Sequence, residues 1–145
     1  MDEKLLILHI DDEIGTLKLW DMMLQRYGYG GTLHTNSARD GLAIAFEQRP
    51  HLILLDTMIP DLDGFEICKR LRADERTRSA VILFVSIYMF GERVQRAAEC
   101  GADASYSMPL LPADVRALMA TWAPIALERR HAESPIIGGN PTNTQ

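Results

Sequence analysis

Two runs, Leu52-Ile53-Leu54-Leu55 and Val81-Ile82-Leu83-Phe84-Val85, are apolar at every position. Successive side chains of a strand point to opposite faces, so strands of this kind can be buried only in a sheet that is covered on both sides. The run Leu5-Leu6-Ile7-Leu8-His9-Ile10 has nearly the same character. Between the runs, apolar residues recur at steps of three or four: Ile14, Leu17, Trp20, Leu24 and Tyr27, then Leu42, Ala45 and Phe46, then Phe65, Cys68 and Leu71. Val94, Ala97 and Ala98 follow, and finally Val115, Leu118, Met119 and Trp122. Strand runs alternating with helical periods predict five βα units and an α/β fold with a doubly wound parallel sheet. Weaker strands are expected at Thr32 to Thr35 and at Ala104 to Met108.

Local signals place the boundaries. Gly28 and Gly101 are expected to stop helices, Asn36 and Ser37 to cap one, and Pro50 to follow the end of another. Pro112 suits a first helical turn, and Pro124 is expected to kink or restart the last helix. One domain over residues 4–131 accounts for all the periodic segments. The Pro-, Gly-, Asn- and Thr-rich stretch over 132–145 has little to bury and is expected to be a flexible tail.

Composition narrows the function classes. No apolar run approaches the roughly 20 residues that a membrane-spanning helix needs, and Met1-Asp2-Glu3-Lys4 does not resemble a secretory leader, so a cytoplasmic protein is expected. A net charge of −5 without a Lys/Arg stripe argues against a direct nucleic-acid partner. Cys68 and Cys100 show neither disulfide nor CxxC spacing and are expected to be buried free thiols. His9, His34, His51 and His131 form no ligand pattern, and a lone His9 in a strand is expected to be a core or sheet-edge residue.

In parallel α/β sheets the ligand crevice lies beyond the carboxyl ends of the strands, and those ends carry Asp11, Asp12, Asp56 and Ser86. Carboxylates packed together repel one another unless protons or a cation intervene, and a hard ion such as Mg²⁺ suits a few carboxylates plus water. An aspartate after a strand can also cap a helix or open a turn, and Asp12 alone fits that reading equally well. The set of three fits it poorly.

Ile10-Asp11-Asp12-Glu13 and Leu55-Asp56-Thr57-Met58-Ile59-Pro60-Asp61-Leu62-Asp63-Gly64, with Ser86, Gly101-Ala102-Asp103 and Pro109, resemble the hallmark motifs of response-regulator receiver domains over about residues 4–122. The resemblance implies a flavodoxin-like, CheY-like five-stranded sheet in the order 2-1-3-4-5. It implies that Asp56 is the phosphoacceptor, that Ser86 is the switch hydroxyl, and that Asp11, Asp12, Asp56 and the Met58 backbone carbonyl hold Mg²⁺. The implied partners are a sensor histidine kinase or phosphotransfer protein and a downstream protein, with a homodimer as an admissible assembly. Its chemistry would be self-phosphorylation and self-dephosphorylation rather than that of an enzyme in the ordinary sense.

Three positions depart from the family pattern. Met108 stands where receivers usually carry a lysine, and a thioether supplies neither charge nor a hydrogen-bond donor. Ser105 stands where an aromatic switch is usual, and Tyr106, one residue later, should face the other side of the sheet. Ile87 replaces a small residue and is expected to crowd the path to Asp56. Arg93 is a candidate replacement for the missing cation, although a solvated helix face is its expected role. Two functional readings therefore stand side by side: a phosphorylation-responsive receiver, and a degenerate receiver that works as a phosphorylation-independent interaction module. A metal-dependent phosphatase is disfavoured because no general acid–base partner is evident.

Overall fold

The computed structural model describes residues 4–138. Its elements in chain order are β1 (Ile7–Ile10), α1 (Ile14–Arg26), β2 (Leu33–Thr35), α2 (Ala38–Gln48), β3 (Leu52–Leu55) and α3 (Gly64–Ala73). They continue with β4 (Val81–Ser86), α4 (Glu92–Glu99), β5 (Ala104–Ser107) and α5 (Pro112–Gly138). All pairings are parallel and the strand order is β2-β1-β3-β4-β5, as the family resemblance implied.

The period-two alternation sorts the sheet into two cores. Leu8, Ile10, Ile53, Leu55, Ile82 and Phe84 face α2, α3 and α4, where they meet Leu42, Phe65, Ile67, Cys68, Leu71 and Ala97. Ile7, Leu52, Leu54, Val81, Leu83 and Val85 face α1 and α5 and pack against Trp20, Leu24, Val115, Leu118 and Met119. Every residue of β3 and β4 is buried, which is why neither run tolerates a polar face.

The terminators behave largely as read. Ser37 caps α2 by accepting a hydrogen bond from the Asp40 N–H, and Asp63 caps α3 by accepting one from Glu66 N–H. Gly28 and Gly101 lie just past α1 and α4 with φ of 94° and 95°, a region that disfavours side chains. Gly64 meets a different demand. A β-carbon there would lie 2.8 Å from Thr57 Cα and would also strike the Asp56 carbonyl, so glycine is what lets α3 start directly against the acceptor strand. Cys68 and Cys100 are buried free thiols.

The last helix departs from expectation. It runs without interruption across Pro124 to Gly138, past the expected start of the tail at residue 132. Proline removes one donor, but the packing of Ala123 and Ala126 on either side continues into the α1/α5 core. Beyond it, Arg130 donates to the carbonyls of Arg49 and Pro50, and Ser79 Oγ donates to Glu133 Oε2 at 2.7 Å. These partners lie about 50 to 80 residues away in sequence, so local composition could not disclose them. The rest of the expected tail, from 139 to 145, lies outside the described residues.

Candidate phosphoacceptor and metal site

Backbone bonds at the ends of the strands assemble the site. The Asp11 N–H donates to Thr35 O, the Asp56 N–H to Ile10 O, and the Met108 N–H to Ser86 O. Residues that follow β1, β3 and β5 are thereby brought to one edge, beside the last residues of β2 and β4. The loop after β3 is anchored independently. Asp61 accepts hydrogen bonds from the Ala38 and Arg39 N–H groups in the first turn of α2, each 3.0 Å long, and the Gly64 N–H donates to Thr57 O. Those α2 donors hold the Asp61 carboxyl below its ordinary range.

Asp11, Asp12 and Asp56 each offer a carboxylate oxygen within 4.8 Å of the other two. Asp11 and Asp56 are buried, while Asp12 is exposed. Asp11 Oδ1 accepts from the Glu13 N–H and Asp56 Oδ1 from the Thr57 N–H. Buried Asp11 Oδ2 has no hydrogen-bond partner among the described residues. Burial first, and then the charges of Asp56 and Asp12, push the Asp11 pKa up to about 7. Burial likewise pushes Asp56 up to about 6, opposed by the Ser86 hydroxyl and the Thr57 N–H and reinforced by Asp12. An orphaned buried carboxylate oxygen among three clustered carboxylates fits a hard divalent cation. Met58 lines the same cavity, of about 240 Å³, together with Asp11, Asp12, Asp56 and Ser86.

Ser86 is buried at the end of β4. Its Oγ lies 3.0 Å from Thr57 Oγ1 and accepts from the Tyr88 N–H at 3.3 Å. Thr57, which sequence reasoning passed over as a loop residue, is therefore part of the site. Its position directly after Asp56 was the only available signal. Arg93, the candidate replacement cation that was more readily expected on a solvated helix face, is half-buried, and its Nη1 donates to Thr57 Oγ1 at 3.4 Å.

The departures are also placed. Met108 lines the cavity, in the region where the family pattern puts a cation, and also packs against the α1/α5 core. Tyr106 packs into the α1/α5 core, and its hydroxyl accepts from Trp122 Nε1 at 2.8 Å, so it cannot serve the face that Ser105 occupies. Ile87 lines the cavity too, but 54% of its surface is in solvent, so it sits at the rim rather than filling the path. His9 packs edge-on against Trp20. Burial, and then the charge of His34, lower its pKa to about 3, leaving a neutral core residue with Nε2 3.9 Å from Asp11 Oδ2. His51 Nδ1 accepts from the Leu6 N–H, a structural role.

Comparison with known proteins places the chain by family and by fold. The family model of the response regulator receiver domain matches residues 7–119. Sporulation initiation phosphotransferase F of Bacillus subtilis is 31% identical over 126 residues, covering 86% of this chain and 97% of that protein. The DNA-binding dual master transcriptional regulator RpaA of Synechocystis sp. is 34% identical over 135 residues, and there the match covers 88% of this chain but only 54% of the relative. In fold, the CheY-like receiver domain protein of Methanospirillum hungatei superposes with a TM-score of 0.77 at 24% identity, over 90% of this chain and 99% of that one. The chain spans about half the length of the transcriptional regulator and nearly all of the phosphotransferase. On the family match, the relatives and the strand order together, this chain belongs to the response regulator receiver domain family of two-component signalling.

Proposed function

We propose that Asp56 accepts a phosphoryl group and that the resulting change is read by a partner protein. The observation that carries this reading is the buried Asp56 carboxylate at the floor of a cavity that it shares with Asp11, Asp12 and the Ser86 hydroxyl. Asp11, Asp12, Asp56 and the Met58 carbonyl would hold Mg²⁺. When bound, that ion offsets the repulsion between carboxylates and an incoming phosphoryl group and shields the charge that develops during transfer. The protein's own residues do the rest. Asp56 supplies the nucleophilic oxygen, with its other oxygen, Oδ1, steadied by the Thr57 N–H. Ser86 stands ready to donate to a phosphoryl oxygen, and the Asp61 and Gly64 contacts keep the loop from drifting away from the acceptor. The phosphoryl donor is a sensor histidine kinase or a phosphotransfer protein, the setting is the cytoplasm, and the output is a protein contact, with self-association into a homodimer among the forms it can take. No helix among the described residues is long and apolar enough to cross a membrane.

Met108 is the observation that favours the second reading, a receiver that acts as an interaction module without phosphorylation. The two readings part on one experiment: incubation with Mg²⁺ and acetyl phosphate, followed by intact mass. A phosphoryl mass gain that needs Mg²⁺ and disappears in Asp56→Ala supports the acceptor. Absence of any gain, from acetyl phosphate and from a kinase-phosphorylated phosphotransfer protein alike, supports the module.

A further inference from the structure

The cavity at Asp56 lacks the cation that the transfer of a dianionic group calls for, since Met108 offers only a thioether. A second cavity adjoins it, sharing Asp12 and Met58, and two of its lining residues are cationic: Arg93 and Arg96 of α4. Arg96 is engaged elsewhere, its guanidinium carbon 4.1 Å above the Phe65 ring centroid. Arg93 is directed inward. Its Nη1 donates to Thr57 Oγ1, which is paired with Ser86 Oγ at 3.0 Å, and Thr57 is the residue next to Asp56. At 3.4 Å to a neutral hydroxyl that bond is long for an N–H···O contact, and no carboxylate among the described residues holds the guanidinium in an ion pair. A guanidinium so placed has donors to spare and a weak bond to exchange for a stronger one.

We propose that Arg93, reaching in from α4, supplies the phosphoryl-binding cation that Met108 cannot. The inference rests on Asp56 being the acceptor. In the transfer, an Asp56 carboxylate oxygen forms a bond to phosphorus while the bond from phosphorus to the donor's leaving atom breaks, the bridging oxygen of acetyl phosphate or the imidazole nitrogen of a phosphohistidine. The electron pair leaves with the donor, as acetate when the donor is acetyl phosphate. Negative charge remains on the three non-bridging oxygens. The planar fork of arginine presents paired N–H donors to two of them and stays charged at every physiological pH, so it can replace a lysine ammonium in this role from a different direction. The direction matters for signalling. A lysine before Pro109 would belong to the sheet edge, whereas Arg93 belongs to the helix that carries exposed Val94 and follows exposed Tyr88 and Phe90. Arginine–phosphoryl contact therefore ties the chemistry directly to α4.

The test uses the full chain with Mg²⁺ and two probes, acetyl phosphate for rate by intact mass and beryllofluoride for affinity by calorimetry. Arg93→Ala should slow phosphorylation and weaken beryllofluoride binding by tenfold or more. Its Mg²⁺ affinity without either probe and its unfolding temperature should match the wild type. Arg93→Lys should recover part of the loss, and Met108→Lys placed in the Arg93→Ala background should recover most of it. Arg96→Ala should behave as wild type. Wild-type rate and affinity in folded Arg93→Ala would overturn the assignment, as would a loss in Arg96→Ala in its place. If the wild type itself takes up no phosphoryl group and binds no beryllofluoride, the acceptor reading of Asp56 falls, a result distinct from failure of the arginine alone.

Discussion

Asp56 is buried and Asp103 half-buried, and both flank strands, yet they meet opposite electrostatics. At the end of the sheet where β5 begins, Asp103 accepts from Arg72 Nη2 at 2.8 Å, from Arg129 through both of its oxygens, and from the Ile82 N–H at 2.9 Å. Although burial works against it, those donors hold its pKa below the ordinary value. At the far end of the sheet Asp56 faces Asp11 and Asp12 with no cation bonded to any of the three carboxylates among the described residues, and its pKa rises to about 6. One end of the sheet spends its charges on holding the domain together. The other gathers three carboxylates with no cation bonded to them among the described residues, an arrangement that, with burial, raises the affinity of Asp11 and Asp56 for protons and fits a hard cation.

The comparison is sharpened first at Asp103. Removing its carboxylate strands Arg72 and Arg129, whose side chains are only 19% and 34% exposed. Asp103→Ala should cost about 2–4 kcal/mol in denaturant unfolding, and that loss should be the same with EDTA or Mg²⁺. At the acidic end the sign reverses. Asp11→Asn removes one of the repelling charges, so in EDTA it should stabilise the fold by about 1–3 kcal/mol while lowering Mg²⁺ affinity by at least tenfold. A destabilised Asp11→Asn protein would break the claim that this end stores repulsion.

A pH series separates the ends without mutation. Asp11 and Asp56 have folded pKa values near 7 and 6, raised above the unfolded value of 3.8. Between those limits the folded state binds more protons than the unfolded state, so stability must fall as pH rises from about 4 to about 7. The metal-free protein should lose on the order of 2–4 kcal/mol across that window, and saturating Mg²⁺ should flatten the slope. Asp103 carries the opposite sign: its depressed pKa contributes stability above pH 3.8 that disappears as pH falls through the folded value. The smallest expected effect lies midway, at the Tyr106 hydroxyl. Tyr106→Phe leaves Trp122 Nε1 without its partner and should cost about 1 kcal/mol, with phosphorylation unchanged because this ring faces the α1/α5 core.

The fold was legible where a single physical demand acts on contiguous residues. β3 and β4 must be covered on both faces, and their sequences say so at every position. β5 is half-buried and partly polar, and its placement rests on pairing with β4 rather than on its own pattern. Asp11, Asp12, Asp56 and Ser86 could be found because each lies at the carboxyl end of a strand or within two residues of it, and the parallel sheet aligns strand ends. Arg93 could not. It reaches Thr57 across 36 residues from another helix, and nothing in its local sequence distinguishes it from Arg96. The same holds for Asp103, whose motif was visible but whose clamp by Arg72 and Arg129 comes from two distant helices.

The central proposal is that Asp56 accepts a phosphoryl group in a pocket that requires a divalent cation. The most direct test is intact mass after incubation with acetyl phosphate, in parallel with Mg²⁺ and with EDTA, for the wild type and Asp56→Ala. A gain of one phosphoryl group in the wild type with Mg²⁺, and in none of the other three samples, is the predicted result. A gain that persists in Asp56→Ala, or that is the same in EDTA, would contradict it.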